Sequence, residues 1–306
     1  MKKILLAFVL LIVIVLASIY LFIPAGPQLA ATISFNATLP GVSRTLANDS
    51  NWKKWWPGET PFAYNKQTYS INGRLFNVFG IDIFSDKDTL NSRMELVVVK
   101  DNTMTIMWNA EQASSNDPLK RFDRYRHAKQ TEKNMNAILQ TLKTFLQKKE
   151  NIYGFNVIET LVKDSVLIST RRQFDHYPGP QEVDSMIQSL KKYISQNNAI
   201  EKNLPMLNVF DRGSSRYEAM TAIPVDKALP KTNEFAPKFL LKGGNILEAQ
   251  VQGGPYTIEK GLKELENYRA DHKFDSPAIP YQLLVTDRTK EQDTTKWITR
   301  LYYPIY

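Results

Sequence analysis

The chain has 306 residues, of which 43% are apolar and 23% are charged; it contains no cysteine and carries a formal net charge of +8. Such a composition is typical of folded globular protein, and it excludes both a wholly disordered chain and a polytopic membrane protein. The lack of cysteine excludes disulfides, thiol nucleophiles and cysteine-based zinc sites, and the length predicts about two domains of roughly 150 residues each.

The first predicted element is a long apolar helix at the N-terminus. Ile4 to Ile23 is a run of 20 residues with two polar members, and a helix of this length crosses the hydrocarbon core of a bilayer, which is about 30 Å thick. Lys2 and Lys3 precede the run, and the next basic residue is Arg44. The positive-inside rule therefore predicts a single-pass membrane protein with a cytoplasmic N-terminus and extracytoplasmic globular domains, in contact with the lipid bilayer through residues 4–23.

The alternative for this segment is a cleaved signal peptide. The apolar core of a signal peptide has about 7 to 15 residues and ends in a small-x-small site. Here the core is longer, and Pro24 and Pro27 crowd the only cluster of small residues near its end. We therefore predict a retained transmembrane anchor over residues 1–30.

Residues 31–150 are predicted to form an antiparallel sheet. The alternation of apolar and polar residues predicts a first strand at Thr32–Ala37, with a short helix after it. Asp101-Asn102 supplies a turn that makes the last two strands of the series a hairpin. The later strands are predicted near Phe62–Ile71, Leu75–Phe84, Met94–Lys100 and Thr103–Ala110.

A long helix follows these strands. Asp117-Pro118 is a good N-cap and first-turn pair, and Met135, Ile138 and Leu142 belong to a set of apolar residues at helical spacing. Because neither the sheet nor the helix buries its apolar side alone, the helix is expected to cover the concave face of the sheet.

The start of this helix is strongly basic. The segment from Lys120 to Lys133 contains six basic residues and two acidic residues. A charge run on a helix is usually a solvated face, and no helix-turn-helix or RNA-binding motif accompanies it. We therefore expect no nucleic-acid partner.

A tryptophan cluster after the first strand has two interpretations. Trp52, Trp55 and Trp56 would fill the end of the sheet as large buried aromatics, which is the interpretation that we favour. On an exposed loop beside Lys53 and Lys54, the same rings would instead rest on the bilayer interface near the anchor.

Residues 31–150 resemble the START-like domains (SRPBCC, polyketide cyclase type), which have a helix-grip fold. The matching features are the opening strand, the tryptophan cluster with Pro57, the strand series, and Leu139–Lys143 near the end of the last helix. The resemblance implies a curved sheet wrapped around a hydrophobic cavity, usually for lipids or other apolar ligands.

Residues 151–306 contain an internal repeat. The halves run from about Glu159 to Val225 and from about Pro237 to Ile305, and each is predicted as strand, helix, strand, strand. A two-fold copy lets the units bury their apolar sheet faces together, and a groove between them is the natural ligand site. The corresponding segments are Gly179-Pro180 and Gly254-Pro255 before the helices, Asp211-Arg212 and Asp287-Arg288 at the turns, and Tyr217–Val225 and Trp297–Ile305 at the closing strands.

This pattern is similar to the GyrI-like effector-binding domains, which bind small molecules. The match rests on Gly253–Tyr256 at the second helix start, the Asp287-Arg288 turn, Trp297, and the terminal segment from Arg300. The family often has a glutamate four residues before the final proline, where it binds cationic ligands or helps hydrolysis, whereas this chain has Arg300. A guanidinium repels cations and is not a general base near neutral pH, so the departure argues against both activities.

Strand alternation predicts the side chains that face the groove. Arg300 shares one face of the last strand with Ile298 and Tyr302. Glu218 and Met220 lie on the equivalent face in the first half. If both side chains project into the groove, Glu218 and Arg300 could pair across it, which would leave a site for neutral or weakly acidic amphipathic ligands. The alternative is that the arginine pairs only structurally and no ligand exists. The predicted ligand-binding residues are Glu218, Met220, Tyr256, Ile298, Arg300 and Tyr302.

Motifs of catalysis are missing from the sequence. The three histidines, His127, His176 and His272, lack metal-ligand spacing, and there is no nucleophile elbow, phosphate-binding glycine loop or dinucleotide fingerprint. We expect no metal and no cofactor.

The sequence therefore predicts an α+β protein with a helix-grip domain over 31–150 and a duplicated strand-helix-strand-strand domain over 151–306, behind one transmembrane helix. The expected function is membrane-anchored, non-catalytic binding of small hydrophobic or amphipathic molecules, by sequestration or sensing. Two alternatives stay open. One is a hydrolase or isomerase that acts in one of the two cavities, and the other is a structural or partner-binding protein with no ligand.

Overall fold

The computed structural model describes residues 2–59, 61–86, 88–100, 102–276 and 278–306. The chain divides into two units, residues 1–148 and 149–306. Both units combine an antiparallel sheet with helices, so the predicted α+β fold class is confirmed.

The sheet of the first unit has the strand order β1-β6-β5-β4-β3-β2, in which the strands are β1 (Gln28–Asn36), β2 (Ala63–Tyr64), β3 (Gln67–Arg74), β4 (Val78–Phe84), β5 (Thr89–Lys100) and β6 (Thr103–Glu111). β1 begins earlier than predicted because its alternation of exposed and buried side chains extends back through Leu29. The predicted hairpin of β5 and β6 is confirmed, although Asp101 lies outside the described residues.

The strand predicted near Phe62–Ile71 is two strands, β2 and β3. Asn65 and Lys66 between them have φ values of +47° and +62°. Two consecutive residues with positive φ form the tight two-residue turn of a β-hairpin. Ala63 consequently pairs with Thr68 across the turn.

The helices of the first unit are α1 (Lys2–Phe22), α2 (Leu39–Ala47), α3 (Asp49–Trp55) and α4 (Pro118–Leu146). α4 begins as predicted, because the Asp117 carboxylate accepts hydrogen bonds from the backbone N–H groups of Leu119 and Lys120 at 2.9 and 3.1 Å. Met135 and Ile138 lie on its buried face, and the helix packs on β1. The result is the helix-grip arrangement.

α1 is an apolar helix of 21 residues, and none of its described side chains is buried. Among the described helices it is the one that is long and apolar enough to cross a membrane. Two hydrogen bonds fix its C-terminal end to the start of α4. The Tyr20 hydroxyl donates to the Asn116 carbonyl at 2.5 Å, and Arg121 Nε donates to the Ile23 carbonyl at 2.6 Å.

The tryptophan cluster lies in the core of the first unit. Trp52, Trp55 and Trp56 are 1%, 5% and 8% exposed, and the ring centroids of Trp52 and Trp55 are 5.1 Å apart. Trp52 Nε1 donates to the Leu46 carbonyl at 2.7 Å. The core interpretation is confirmed. The alternative that these rings rest on a bilayer is wrong, because protein covers them.

In its described residues, the second unit has eight strands and three α-helices. Its helices are α5 (Lys149–Tyr153), α6 (Pro180–Gln196) and α7 (Pro255–Asp271). Its strands are β7 (Ile158–Leu161), β8 (Val166–Phe174), β9 (Met206–Asp211), β10 (Tyr217–Pro224), β11 (Ala236–Phe239), β12 (Asn245–Gln252), β13 (Tyr281–Leu284) and β14 (Ile298–Pro304). Their order in one antiparallel sheet is β11-β8-β10-β9-β13-β14-β12-β7.

The predicted repeat is confirmed by this order. β8-α6-β9-β10 forms the first half and β12-α7-β13-β14 the second. The halves join where β9 pairs antiparallel with β13, with Leu207 opposite Gln282. Each half also gains an edge strand beyond the predicted pattern, since β11 pairs with β8 and β7 pairs with β12.

The sheet of the second unit has two different faces. α6 and α7 cover the helix face, where Leu190 and Ile223 belong to one core cluster and Leu265 and Leu301 to another. Alternation along each strand sends every second side chain to the opposite face, which we call the groove face. The cluster on the groove face consists of Leu167, Met206, Ala222, Leu240, Tyr281, Leu283 and Tyr302.

Candidate ligand-binding site

The groove face of the second unit contains two adjoining hollows. One is polar, with a volume of about 170 Å³, and the other is apolar, with a volume of about 200 Å³. Met206 and Tyr281 line both of them. A ligand with a polar end and an apolar end would therefore find both environments side by side.

The polar hollow is organised by a pair of tyrosines. Tyr281 on β13 and Tyr302 on β14 are directly opposite in the strand register, and their rings stack with centroids 5.1 Å apart and planes 21° from parallel. Glu248 on β12 is opposite Tyr302 on its other side. The other charged residues of the lining are Arg300, Lys163 and Asp164.

The charged residues beside Tyr302 shift the pKa of its hydroxyl in opposite directions. Burial raises the pKa of the Tyr302 hydroxyl, Glu248 adds to the rise, and Arg300 opposes it. Burial also raises the pKa of Tyr281, with Tyr302 as the next contributor. Both hydroxyls are therefore protonated at neutral pH, and that of Tyr281 is able to donate a hydrogen bond to a ligand.

The apolar hollow lies between the first half of the repeat and the edge strand β11. Leu240 follows this strand and belongs to the buried cluster of the groove face, whereas Phe239 is 67% exposed. An exposed aromatic at the rim of an apolar hollow is suited to contact with a ligand. The apolar lining is Leu167, Met206, Leu207, Met220, Ala222, Phe239, Leu240, Ala278 and Ile279.

Three of the six residues predicted for the site line these hollows. Arg300 and Tyr302 line the polar hollow, and Met220 lines the apolar one. Tyr256, the second residue of α7, is 78% exposed and points to solvent. Ile298 begins β14 opposite Gln252 and is not among the lining residues of either hollow.

The predicted ion pair between Glu218 and Arg300 is wrong. Glu218 accepts instead from Arg212 at 2.5 Å and from Arg171 at 3.4 Å. β9 and β13 separate β10 from β14 in the sheet, and three strand spacings of about 4.8 Å place the two strands about 14 Å apart. Arg171 and Arg212 lie on the adjacent strand and turn, so they reach Glu218 and Arg300 does not.

Sequence reasoning missed Glu248, Asp164 and Tyr281. Alternation along β12 and β13 assigns each residue to one of two faces, but only the strand order tells which strands are neighbours. With the order known, Glu248 and Tyr281 fall on either side of Tyr302. Asp164 belongs to a loop and carries no periodic signal.

A network of buried polar side chains lies between the sheet of the first unit and α4. The Gln67 amide donates to the Thr131 hydroxyl at 2.7 Å and accepts from Asn134 and Tyr69 at 2.7 and 2.9 Å. The Tyr69 ring lies 6.0 Å from that of Trp108. This buried network joins β3 to α4.

Among the described residues, no group of three or more histidine or carboxylate side chains could hold a metal ion. His176 lies on an exposed loop with carboxylates on either side. Its Nδ1 is 2.7 Å from the Asp175 carboxylate and its Nε2 is 3.1 Å from that of Glu182. Asp175 is the main cause, and Glu182 the second, of a raised pKa of His176.

We predict that His176 titrates above its ordinary pKa of 6.5. Because folding favours the charged imidazole, its contribution to stability is present below the unfolded pKa and is lost as the pH rises through the raised folded pKa. Histidine-selective NMR of the full chain measures the midpoint. Asp175→Asn is expected to lower it while leaving Glu182 free to cap α6, and a midpoint that is unchanged by this substitution would contradict the assignment.

Comparisons with known proteins give likenesses of fold to solved structures. No family model matches the sequence, and a search of curated proteins finds no match. The C-terminal domain of EcmrR is similar over 50% of this chain and 98% of that chain, at 9% identity and a TM-score of 0.41. A hydrolase from Listeria innocua is similar over 49% and 92%, at 10% identity and a TM-score of 0.38.

A third similar structure is the Zhui aromatase/cyclase from Streptomyces sp. R1128. It covers 40% of this chain and 95% of its own length, at 9% identity and a TM-score of 0.28. Likenesses of this size assign no function, so any function must be argued from the hollows themselves.

Proposed function

We propose that this chain is a membrane-tethered binding protein for small hydrophobic or amphipathic molecules, which it holds on the groove face of the second unit. The observation that carries the proposal is the stacked pair of Tyr281 and Tyr302, with a polar hollow beside an apolar one. Tyr281 borders both hollows, so one ligand can contact the ring pair and both surfaces.

The chemistry of the hollows selects an amphipathic ligand. An apolar body that buries about 150 Å² gains about 4 kcal/mol at ~25 cal/mol per Å², which association costs largely offset. Hydrogen bonds from the head group are therefore needed for useful affinity. Arg300, Lys163 and the Tyr281 hydroxyl supply donors, and Glu248 and Asp164 supply acceptors.

Binding is favoured over hydrolysis by the charge balance of the polar hollow. A general base needs a carboxylate that is free to take a proton. Glu248 lines the same hollow as Arg300, and the two residues shift the pKa of Tyr302 in opposite directions. This arrangement suits recognition of a head group by sequestration or sensing.

The membrane part of the proposal rests on α1. We propose that α1 spans the bilayer with the N-terminus in the cytoplasm and both units on the extracytoplasmic side. Its length of 21 residues and the lack of any buried side chain among those described support contact with lipid. Lys2 and Lys3 before the helix support the orientation.

The lack of native cysteine makes the orientation directly testable. We expect Lys231→Cys, at an exposed position of the second unit, to react with a membrane-impermeant maleimide in intact spheroplasts. A cysteine in a short N-terminal extension serves as the control and should react only after lysis. Labelling of Lys231→Cys that requires lysis would contradict the proposed orientation.

The binding function is tested with 1-aminoanthracene, a planar and uncharged fluorescent probe. We expect the full chain in lipid nanodiscs to bind the probe, and Tyr302→Ala to weaken binding at least tenfold because the ring stack is lost. Tyr306→Ala removes a tyrosine that is 86% exposed and is the matched control. Equal effects of the two substitutions, or no binding by the unsubstituted chain, would overturn the proposal.

A further inference from the structure

A third cavity lies on the helix face of the second unit, between α6 and the loop that joins β13 to β14. Its volume of about 350 Å³ exceeds that of either hollow on the groove face. Most of its wall is apolar, from Val183 and Ile187 on α6 and from Leu207, Leu284 and Trp297 on the sheet side.

One strong cation faces this apolar cavity. Arg288 Nη2 donates to the Gln282 side chain at 3.1 Å and to the Thr299 hydroxyl at 2.9 Å, and its guanidinium carbon lies 4.9 Å from the ring centroid of Trp297. Gln282 and Thr299 are buried and neutral. Arg288 Nε is also buried and has no hydrogen-bond partner.

The charge of Arg288 is not balanced by the protein. In the described part of the chain no carboxylate pairs with it, and the two acids in the cavity wall are engaged elsewhere. Asp184 accepts from Gln188 at 3.1 Å, and Asp287 pairs with Lys290 at 3.1 Å. Desolvation accordingly lowers the pKa of Arg288 to about 10, and an uncompensated buried charge is costly.

The internal repeat supplies a comparison within the same chain. Arg212 occupies the position in the first half that Arg288 occupies in the second, and Glu218 neutralises it at 2.5 Å. The residue that corresponds to Glu218 in the second half is Ile298. The second half of the repeat therefore has the arginine but no carboxylate that corresponds to Glu218. The Arg288 side chain lines the cavity instead.

We propose that this cavity is a second binding site, which takes a small monocarboxylate with an apolar, planar or compact body. The carboxylate would accept from the terminal N–H groups of Arg288 that do not donate to Gln282 or Thr299, and the body would pack against Leu284 and Trp297. A guanidinium binds a carboxylate through two parallel hydrogen bonds. The aromatic and aliphatic wall supplies the contact area.

The number of available cations selects a singly charged ligand. Lys191 also lines the cavity, but it pairs with Glu201 at 3.5 Å. Within the described residues, the cavity thus offers one arginine without a carboxylate partner. A phosphate dianion would leave a charge unmatched in an apolar wall, which is unfavourable.

The test uses 2-naphthoate and its neutral analogue 2-naphthamide on the full chain in lipid nanodiscs. We expect 2-naphthoate to bind at least tenfold more tightly than 2-naphthamide. Arg288→Met is expected to remove this preference. Lys231→Met makes the same charge change at an exposed residue of the same unit, outside the cavity wall, and is expected to keep the preference.

The location of the bound anion is read from the indole N–H resonance of Trp297, which we expect to shift as 2-naphthoate is added. Comparison of the two ligands on the unsubstituted chain needs no variant, so the test survives if Arg288→Met fails to fold. Equal affinities for the two ligands, an unchanged preference in Arg288→Met, or an unmoved Trp297 resonance would each overturn the proposal.

Discussion

Replacing Trp52 by alanine is expected to lower the free energy of unfolding of the first unit by about 3–5 kcal/mol, the usual cost of truncating a large buried aromatic. Trp52 is 1% exposed, and its ring centroid lies 5.1 to 6.3 Å from those of Trp55, Phe79 and Phe62. The substitution also removes the donor to the buried Leu46 carbonyl.

Hydrogen exchange of the full chain, read by mass spectrometry on peptides from β3 to β5, measures this loss without assuming that both units unfold together. At 1.4 kcal/mol for each factor of ten, the most protected amides should exchange at least about 100-fold faster. Phe76→Ala is the control, because its ring is 61% exposed in the same unit. Similar exchange in the two variants would mean that the tryptophans are not core residues.

Replacing Leu301 by alanine is expected to destabilise the second unit by about 2–5 kcal/mol. Leu301 is fully buried on β14, in the cluster that packs α7 on the sheet with Leu247 and Leu265. Leu241→Ala is the matched control, since Leu241 belongs to the same unit and is 80% exposed. Exchange rates of β12 and β14 peptides should rise in the first variant and stay unchanged in the second.

Gly261 on α7 makes this prediction sharper. A Cβ added there would lie 2.5 Å from Leu301 Cδ1 and 3.0 Å from Val251 Cγ1, so Gly261→Ala alone should be destabilising. After Leu301→Ala most of that clash is gone, and the new methyl fills part of the cavity and gains about 1 kcal/mol of helix propensity. The double variant should therefore be more stable than Leu301→Ala. Simple additivity of the two substitutions would contradict this packing.

The architecture could be predicted because local signals repeat. The Gly-Pro pairs before α6 and α7 and the Asp-Pro pair before α4 mark helix starts by their effect on the backbone, which needs no tertiary information. The duplication then fixes the later strands by comparison of one half with the other. The edge strands β7 and β11 could not be predicted in this way, because each lies outside the repeated pattern.

The site could be predicted only in part, because it depends on strand order. Alternation correctly puts Arg300 and Tyr302 on one face, but it does not say which strands lie beside β14. Two strands, β9 and β13, lie between the strand of Glu218 and that of Arg300. Glu218 is neutralised instead by Arg171 and Arg212. The partners that Tyr302 does meet, Glu248 and Tyr281, come from strands that pair with β14 on either side.

Mass spectrometry of small molecules that copurify with the full chain in mild detergent tests the central claim most directly. We expect an amphipathic molecule on the unsubstituted chain, and its loss from Met220→Trp, in which an indole fills the apolar hollow beside Met206 and Ala222. Arg300→Glu should change which molecule is retained. A chain that carries no such molecule, or that carries the same one after both substitutions, would contradict a ligand site on the groove face.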